Sequence, residues 1–281
     1  MPNLELVDKR DLSSFRRIAM GTWRTAYDPS VYGCMKLRMD EALRYRDEFR
    51  QKTGKRLTVT HMMAKALGAA LAKMPDANAI MRFKRIYLRK RIGVFFQVAM
   101  KDLETGELDL SGVTVHEADE KSLMAIVDEF TAAVVKVRAG KDENLEETRS
   151  LFKKIPLFFI GHVLDLIGWL SFELNLDLTW AGIPKDPFGS AMVTNIGSLG
   201  LEEAYVPLVP YSRVPLLLAL GSVVQEPVVD KGEVIVASTM KVFATFDHRL
   251  LDGTHAAKMS DTLKAWFEDP YAHFGPILDN G

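Results

Sequence analysis

The feature that most constrains this chain is a long apolar run, residues 233–246, that ends abruptly in Asp247-His248-Arg249-Leu250-Leu251-Asp252-Gly253. Its β-branched and apolar residues predict a strand. Residues 253–268 space their apolar side chains as an amphipathic helix. Strand, charged turn and helix follow one another without a linker, which places four charged or titratable side chains at the end of a packed strand. Such a cluster is either a solvated, capped turn or a functional site, and the residues alone leave both readings open. Histidine ordinarily titrates near neutrality, the condition for taking a proton from a nucleophile and later returning it.

Around this unit, strand-like and helical segments interleave. Residues 190–196 and 216–224 are rich in β-branched and apolar residues, and residues 32–38 alternate as a strand. Residues 40–52 carry acids early and bases late before Gly54, a helix with its stop. Thr60 is placed to cap a second helix, with Met63, Leu67, Ala70 and Leu71 on one face and Pro75 ending it. Two strand-like runs, 81–90 and 92–101, precede turn chemistry around Gly106. A helix to about Arg138 follows, facing Leu123, Ile126, Val127 and Phe130 inward, and residues 146–154 read as helical. The rhythm is not strictly βαβ, so the expected fold is α/β with a mixed β-sheet and helices on one face. No linker, repeat or low-complexity tract divides the chain, so residues 1–281 are expected to form a single domain.

Charge and cysteine content narrow the function. A net charge of −1 and a pI near 6.6 supply no global attraction to nucleic acid. The single cysteine, Cys34, rules out an internal disulfide and cysteine-rich zinc sites. It reads as a small buried apolar residue. The first residues lack a secretory signal, and the expected location is cytoplasmic. Residues 155–183 are strongly apolar, but Asp165, Glu173 and Asp177 interrupt them, so no run approaches the roughly 20 residues that span a bilayer. The phosphate-cradling G-x-x-x-x-G-K-[ST] and G-x-G-x-x-G motifs are missing, as are H-E-x-x-H and G-x-S-x-G. Acid–base chemistry remains, with no metal expected.

The string DHRLLDG resembles the D-H-R-x-x-D-G signature of the dihydrolipoamide acyltransferase catalytic domains of 2-oxoacid dehydrogenase complexes. It is also similar to the H-x-x-x-D-G of chloramphenicol acetyltransferases. Residues 189–200, GSAMVTNIGSLG, resemble the family's G-x-F-T-[IV]-[ST]-N-[IL]-G. Residues 93–98 with residues 118–123, ADEKSL, are similar to its G-L-V-V-P-V strand and D-A-D-x-K-S-L helix start. The resemblance runs from about Arg16 to Pro270. It implies a chloramphenicol-acetyltransferase-like two-layer sandwich that assembles as a homotrimer. It also implies coenzyme A as a substrate, His248 as general base, Thr194 as a hydroxyl donor to the oxyanion, and Asp252 holding the loop, with Arg24 as its candidate partner. His255, on the following helix, reads as a solvated or packed histidine, and His61, His116, His162 and His273 have no partner legible in the sequence.

Three departures qualify that reading. The resemblance begins almost at once, with no lipoyl or peripheral-subunit-binding domain ahead of it, so a lipoyl group would come from another protein and dehydrogenase subunits would be partners. An apolar helical insertion, residues 143–187, replaces a shorter connection, and Phe158, Phe159, Leu166, Trp169, Leu170 and Phe172 need a cover. Burial against another subunit or in an extra helical layer is expected, with membrane contact and a channel cover as alternatives. Gln97 stands where relatives have proline. The expected activity is acyl transfer between a thioester and a thiol such as dihydrolipoamide. The alternatives are O- or N-acylation of a small molecule and a non-catalytic trimeric scaffold.

Overall fold

The computed structural model describes residues 2–9, 29–101, 108–138 and 156–277. Its main sheet has six strands in mixed orientation. In chain order these are β2 (Ser30–Arg38), β5 (Gly93–Lys101), β6 (Leu108–His116), β7 (Ala191–Asn195), β8 (Leu216–Asp230) and β9 (Glu233–Asp247). The spatial order is β2-β9-β8-β7-β5-β6. β5, β7 and β8 run parallel, and the remaining pairs are antiparallel.

Four helices cover one face: α1 (Asp40–Thr53), α2 (Val59–Lys73), α3 (Leu123–Arg138) and α5 (Gly253–Glu268). Their apolar stripes meet Val94, Phe96, Val193, Leu218, Val242 and Phe246 in one core. Alternation along each strand sends the intervening residues to the opposite face. There Met192, Leu217, Ala219 and Phe243 pack beneath Phe188, Ala204, Val206 and Leu208 from crossing loops. The layers are those expected.

Local chemistry explains the helix ends. α1 begins with Asp40 and Glu41, finishes with Arg50 and Lys52, and stops at Gly54, whose φ of 68° lets its N–H reach the Arg50 carbonyl. α2 is capped two residues earlier than the sequence suggests. Thr58, in extended conformation, accepts the His61 N–H and caps the helix, while the Thr60 hydroxyl instead receives a hydrogen bond from the Asn195 side chain.

The run 81–90 is not one strand. β3 (Ala79–Arg82) and β4 (Arg85–Arg89) form a hairpin about Phe83 and Lys84, and β1 (Leu6–Asp8) adds to β4 as a second, three-stranded sheet. The strand-like run hid the turn because neither turn residue is Gly, Asn or Asp. The helix expected at 146–154 and the turn around Gly106 lie outside the described residues.

Within the apolar segment, α4 (Leu157–Gly168) runs into a widened turn, Trp169–Glu173. Phe172 packs on Leu4 and Ile80 beside the small sheet. Asn175 ties to the backbone of Leu4, donating from its amide at 2.6 Å. Farther along, Asp186 forms an ion pair with the buried Arg89 at 2.7 Å. Burial is one-sided, since Phe159, Leu166 and Trp169 stay exposed. Cys34 is also exposed, contrary to the reading from sequence: it alternates with Gly33 and Met35 on an edge strand and faces away from the helices.

Candidate active site

The turn after β9 is built by its own backbone. The Leu250 and Leu251 N–H groups both donate to the Asp247 carbonyl, at 3.0 and 2.9 Å, while His248 N–H donates to Pro29 and Asp247 N–H to Pro215. Leu250 and Leu251 point inward and are buried. Arg249 curls back on Asp247: its Nε lies 2.9 Å from Oδ1 and its Nη2 2.6 Å from Oδ2, and its backbone N–H donates to the same carboxylate at 2.9 Å. Both side chains are largely buried. A two-pronged, charge-assisted pair of this kind is rigid. It brackets His248, and the signal for it in the sequence is an acid and a base two residues apart at a strand end.

His248 Nδ1 lies 2.9 Å from the Leu251 carbonyl oxygen. A carbonyl oxygen only accepts, so in the neutral ring Nδ1 carries the hydrogen and Nε2 the basic lone pair. The site therefore holds the tautomer that a proton-accepting imidazole needs, through a backbone group anchored by a buried leucine.

Asp252 is the N-cap of α5. Its Oδ1 accepts from the N–H groups of Thr254, at 3.0 Å, and His255, at 3.2 Å. His255 Nδ1 lies 2.7 Å from the same oxygen and 3.4 Å from the Asp252 N–H. A neutral ring cannot do both. The shorter contact to an ionised carboxylate is the stronger, so Nδ1 donates to Asp252. Asp252 thus caps α5 directly below the His248 turn. Arg24 lies outside the described residues.

Thr194 is placed elsewhere. It sits on β7 opposite Ala219 of β8, which lies opposite Phe243 of β9. His248 is five residues beyond Phe243. With ~3.3 Å per residue and ~4.8 Å per strand, Thr194 and His248 of one chain are on the order of 20 Å apart. Thr194 shares the face of Met192 and Ala219, away from the helices. The turn after it is held by Asn195, whose Oδ1 accepts the Ser198 N–H and whose carbonyl accepts the Ser198 hydroxyl. Gly197 backs onto Gly221 so closely that a Cβ would stand 2.6 Å from its carbonyl oxygen. Asn195 belongs to the motif and Ser198 directly follows it; neither is singled out from sequence, and their fixed spacing is the available signal.

An apolar cavity of ≈ 120 Å³ lies on the helical side beneath the His248 turn, lined by Gly33, Leu218, Ala244, Leu251 and Met259. The sheet separates it from Thr194, so it is a packing gap under α5 rather than a junction of the two predicted site residues. Of the other histidines, His61 completes the cap of α2 and His273 stacks on Trp266.

The model of the 2-oxoacid dehydrogenases acyltransferase catalytic domain matches residues 8–152 and 188–274. The chain belongs to this family. Residues 153–187, which the family model leaves out, fall inside the apolar segment read as an insertion. Among relatives, the dihydrolipoyllysine-residue acetyltransferase component of the Bacillus subtilis pyruvate dehydrogenase complex is 26% identical over 230 residues, 80% of this chain and 42% of that protein. The lipoamide acyltransferase component of the branched-chain α-keto acid dehydrogenase complex, also from B. subtilis, is 24% identical over 245 residues, 85% of this chain and 47% of that protein. The chain spans less than half the length of these family members.

Solved structures agree on the fold. The cubic core of the pyruvate dehydrogenase multienzyme complex aligns with a TM-score of 0.65 at 18% identity, over 94% of this chain and 93% of that one. A chloramphenicol acetyltransferase aligns with a TM-score of 0.50 at 12% identity, over 94% and 99%. The family's fold is therefore the chloramphenicol-acetyltransferase-like sandwich expected from the sequence.

Proposed function

We propose that this chain catalyses coenzyme-A-dependent acyl transfer between a thioester and a thiol such as dihydrolipoamide. The observation that carries the reading is the His248 contact to Leu251, which leaves Nε2 as the base. A free thiol has a pKa of about 8.5, so at neutral pH it needs such a base to react quickly. His248 takes the S–H proton as the sulfur attacks the thioester carbonyl. The carbonyl electrons move to oxygen, and the Thr194 hydroxyl donates to that oxyanion. Collapse breaks the original C–S bond, and the departing sulfur takes the proton from His248.

The wide separation of Thr194 and His248 in one chain supports a site completed by a second copy, with His248 of one protomer opposite Thr194 of its neighbour in a trimer. An Azotobacter vinelandii dihydrolipoamide acetyltransferase has been studied for the catalytic roles of a serine, a histidine and an asparagine, the last four residues after the histidine. Here Thr194, His248 and Asp252 stand in that order, Asp252 again four residues on. Lipoyl groups would arrive on another protein, and coenzyme A serves as substrate.

The test is thiol release from a panel of acyl-coenzyme A donors, with and without dihydrolipoamide. His248→Ala is expected to abolish transfer while the oligomer, sized by light scattering, stays intact. An unchanged rate would remove His248 from the mechanism. Transfer to small hydroxyl or amine acceptors with none to dihydrolipoamide would replace the acceptor assignment.

A further inference from the structure

The cavity beneath the His248 turn has its cause in the sequence. Gly33 of β2 pairs directly with Ala244 of β9, and Ala244 with Leu218 of β8. Val31 and Met35, two residues to either side of Gly33, pack into the helical core, so a side chain on Gly33 would point there too. From α5, Ala256 completes the lining on the other side. Three of the smallest residues therefore meet where their neighbours are Met35, Phe246, Met259 and Leu263, and the space of ≈ 120 Å³ is what larger side chains would have filled.

The backbone does not require the glycine. Gly33 lacks the positive φ that disfavours other residues, and a Cβ built on it meets no atom within 4 Å. Glycine inside a strand weakens it, and a β-branched residue would both fit and strengthen it. Water is a poor occupant: a buried water typically needs about three polar partners, and Ser260 is the one hydroxyl-bearing residue in the described lining. An apolar void of this kind stays dry and takes up small hydrocarbons or xenon. It is also reachable. Gly33, Ala244, Ala256 and Ser260 are half-buried, while Leu251, Met259 and Leu263 behind them are buried, so the mouth lies between the edge strand β2 and α5.

Leu251 ties this space to His248. Its buried side chain is part of the cavity wall. Its carbonyl oxygen is the acceptor 2.9 Å from His248 Nδ1, and its N–H donates to the Asp247 carbonyl at 2.9 Å. Side chain and carbonyl belong to one residue of a short turn, so a molecule that displaces the first moves the second.

We propose that the cavity is an effector site for a small apolar molecule, the size of a single arene or a short branched alkane, whose seating against Leu251 is sensed by His248. The walls set the ligand class. Aliphatic, aromatic and thioether groups offer dispersion contacts and no charge, so a charged or strongly polar molecule would lose its hydration without replacement. The inference does not rest on the acyl-transfer reading, because binding and the state of the imidazole are both read without turnover.

The probe is benzene, added to the full chain isotopically labelled at the methionine methyls and the histidine Cε1 and followed by NMR. Saturable shifts of the Met35 and Met259 methyl signals are expected, together with a shift of the His248 signal, which is assigned by its loss in His248→Gln. Gly33→Val and Ala256→Leu each fill the space and should weaken benzene binding on the order of tenfold or more. Circular dichroism melts check folding, and Gly33→Val, placed where a Cβ meets nothing, keeps the test decisive if Ala256→Leu folds poorly. Three outcomes would overturn the inference: methyl signals that do not move up to the solubility of benzene, equal affinity in the wild type and the folded variants, or a His248 signal that stays fixed while Met259 saturates.

Discussion

At the scale of single residues, histidines of one type do different work because their surroundings differ. His248 stands at a strand end with its Nδ1 on a carbonyl. His61 is only 4% exposed, meets the Phe130 ring edge-on at 4.8 Å, and accepts the Thr58 N–H on Nδ1. Burial, with the charge of Arg56 adding to it, pushes the His61 pKa down to about 4. In the unfolded chain the ring returns to about 6.5, so between these values the unfolded state binds more protons. The stabilisation is therefore complete above about pH 6.5 and is lost as pH falls toward 4, by up to about 3 kcal/mol. Burial lowers His116 in the same direction. Urea unfolding from about pH 7 to about pH 4.5 should show this decline, and His61→Asn should flatten part of it; an identical slope in the variant would assign the decline elsewhere. The sequence showed His61 as a polar residue near a helix start but held no sign of its burial, because the covering Phe130 comes from another helix.

At the scale of elements, the strand–turn–helix unit was almost wholly legible. β9 and α5 end within one residue of the periodicity because local chemistry punctuates them: a charged turn, then Asp252 and Gly253 at the helix start. The cap makes a test. Asp252→Ala removes an acceptor for two N–H groups and should cost about 1–2 kcal/mol in urea unfolding, whereas Asp252→Asn keeps the acceptor and should cost a few tenths. If Asp252 holds the His248 turn through the cap, acyl-transfer rate should follow stability across the two variants. A rate lost equally in both would point to the carboxylate charge instead. The β3–β4 hairpin was illegible for the converse reason. Phe83 and Lys84 read as strand, and only pairing of Ile80 with Tyr87 across the turn forces them into the left-handed region.

At the scale of the whole molecule, the register of three strands decides how a site can be assembled. Thr194 and His248 come from motifs that the sequence groups together, yet β8 lies between their strands. Two inactive or weakened variants should therefore rescue each other. Thr194→Ala alone is expected to lower kcat by roughly ten- to a thousandfold, with less effect on KM. Unfolding it together with His248→Ala and refolding the mixture should restore activity above that of either variant refolded alone, since mixed oligomers contain interfaces with both groups intact. No recovery would mean that both groups act from one chain.

The sequence by itself determined a mixed sheet with helices on one face, the chain order of its main strands and helices, and His248 at the end of β9, since periodicity, caps and charge placement act over a few neighbouring residues. Only the tertiary structure decided which nitrogen of His248 is basic, that Cys34, Leu166 and Trp169 face outward, and that Thr194 stands apart from His248. Those properties depend on a carbonyl three residues away, on which face of an element is covered, and on strand pairing between distant segments. Local sequence carries no record of such long-range partners, because the same pattern fits more than one of them.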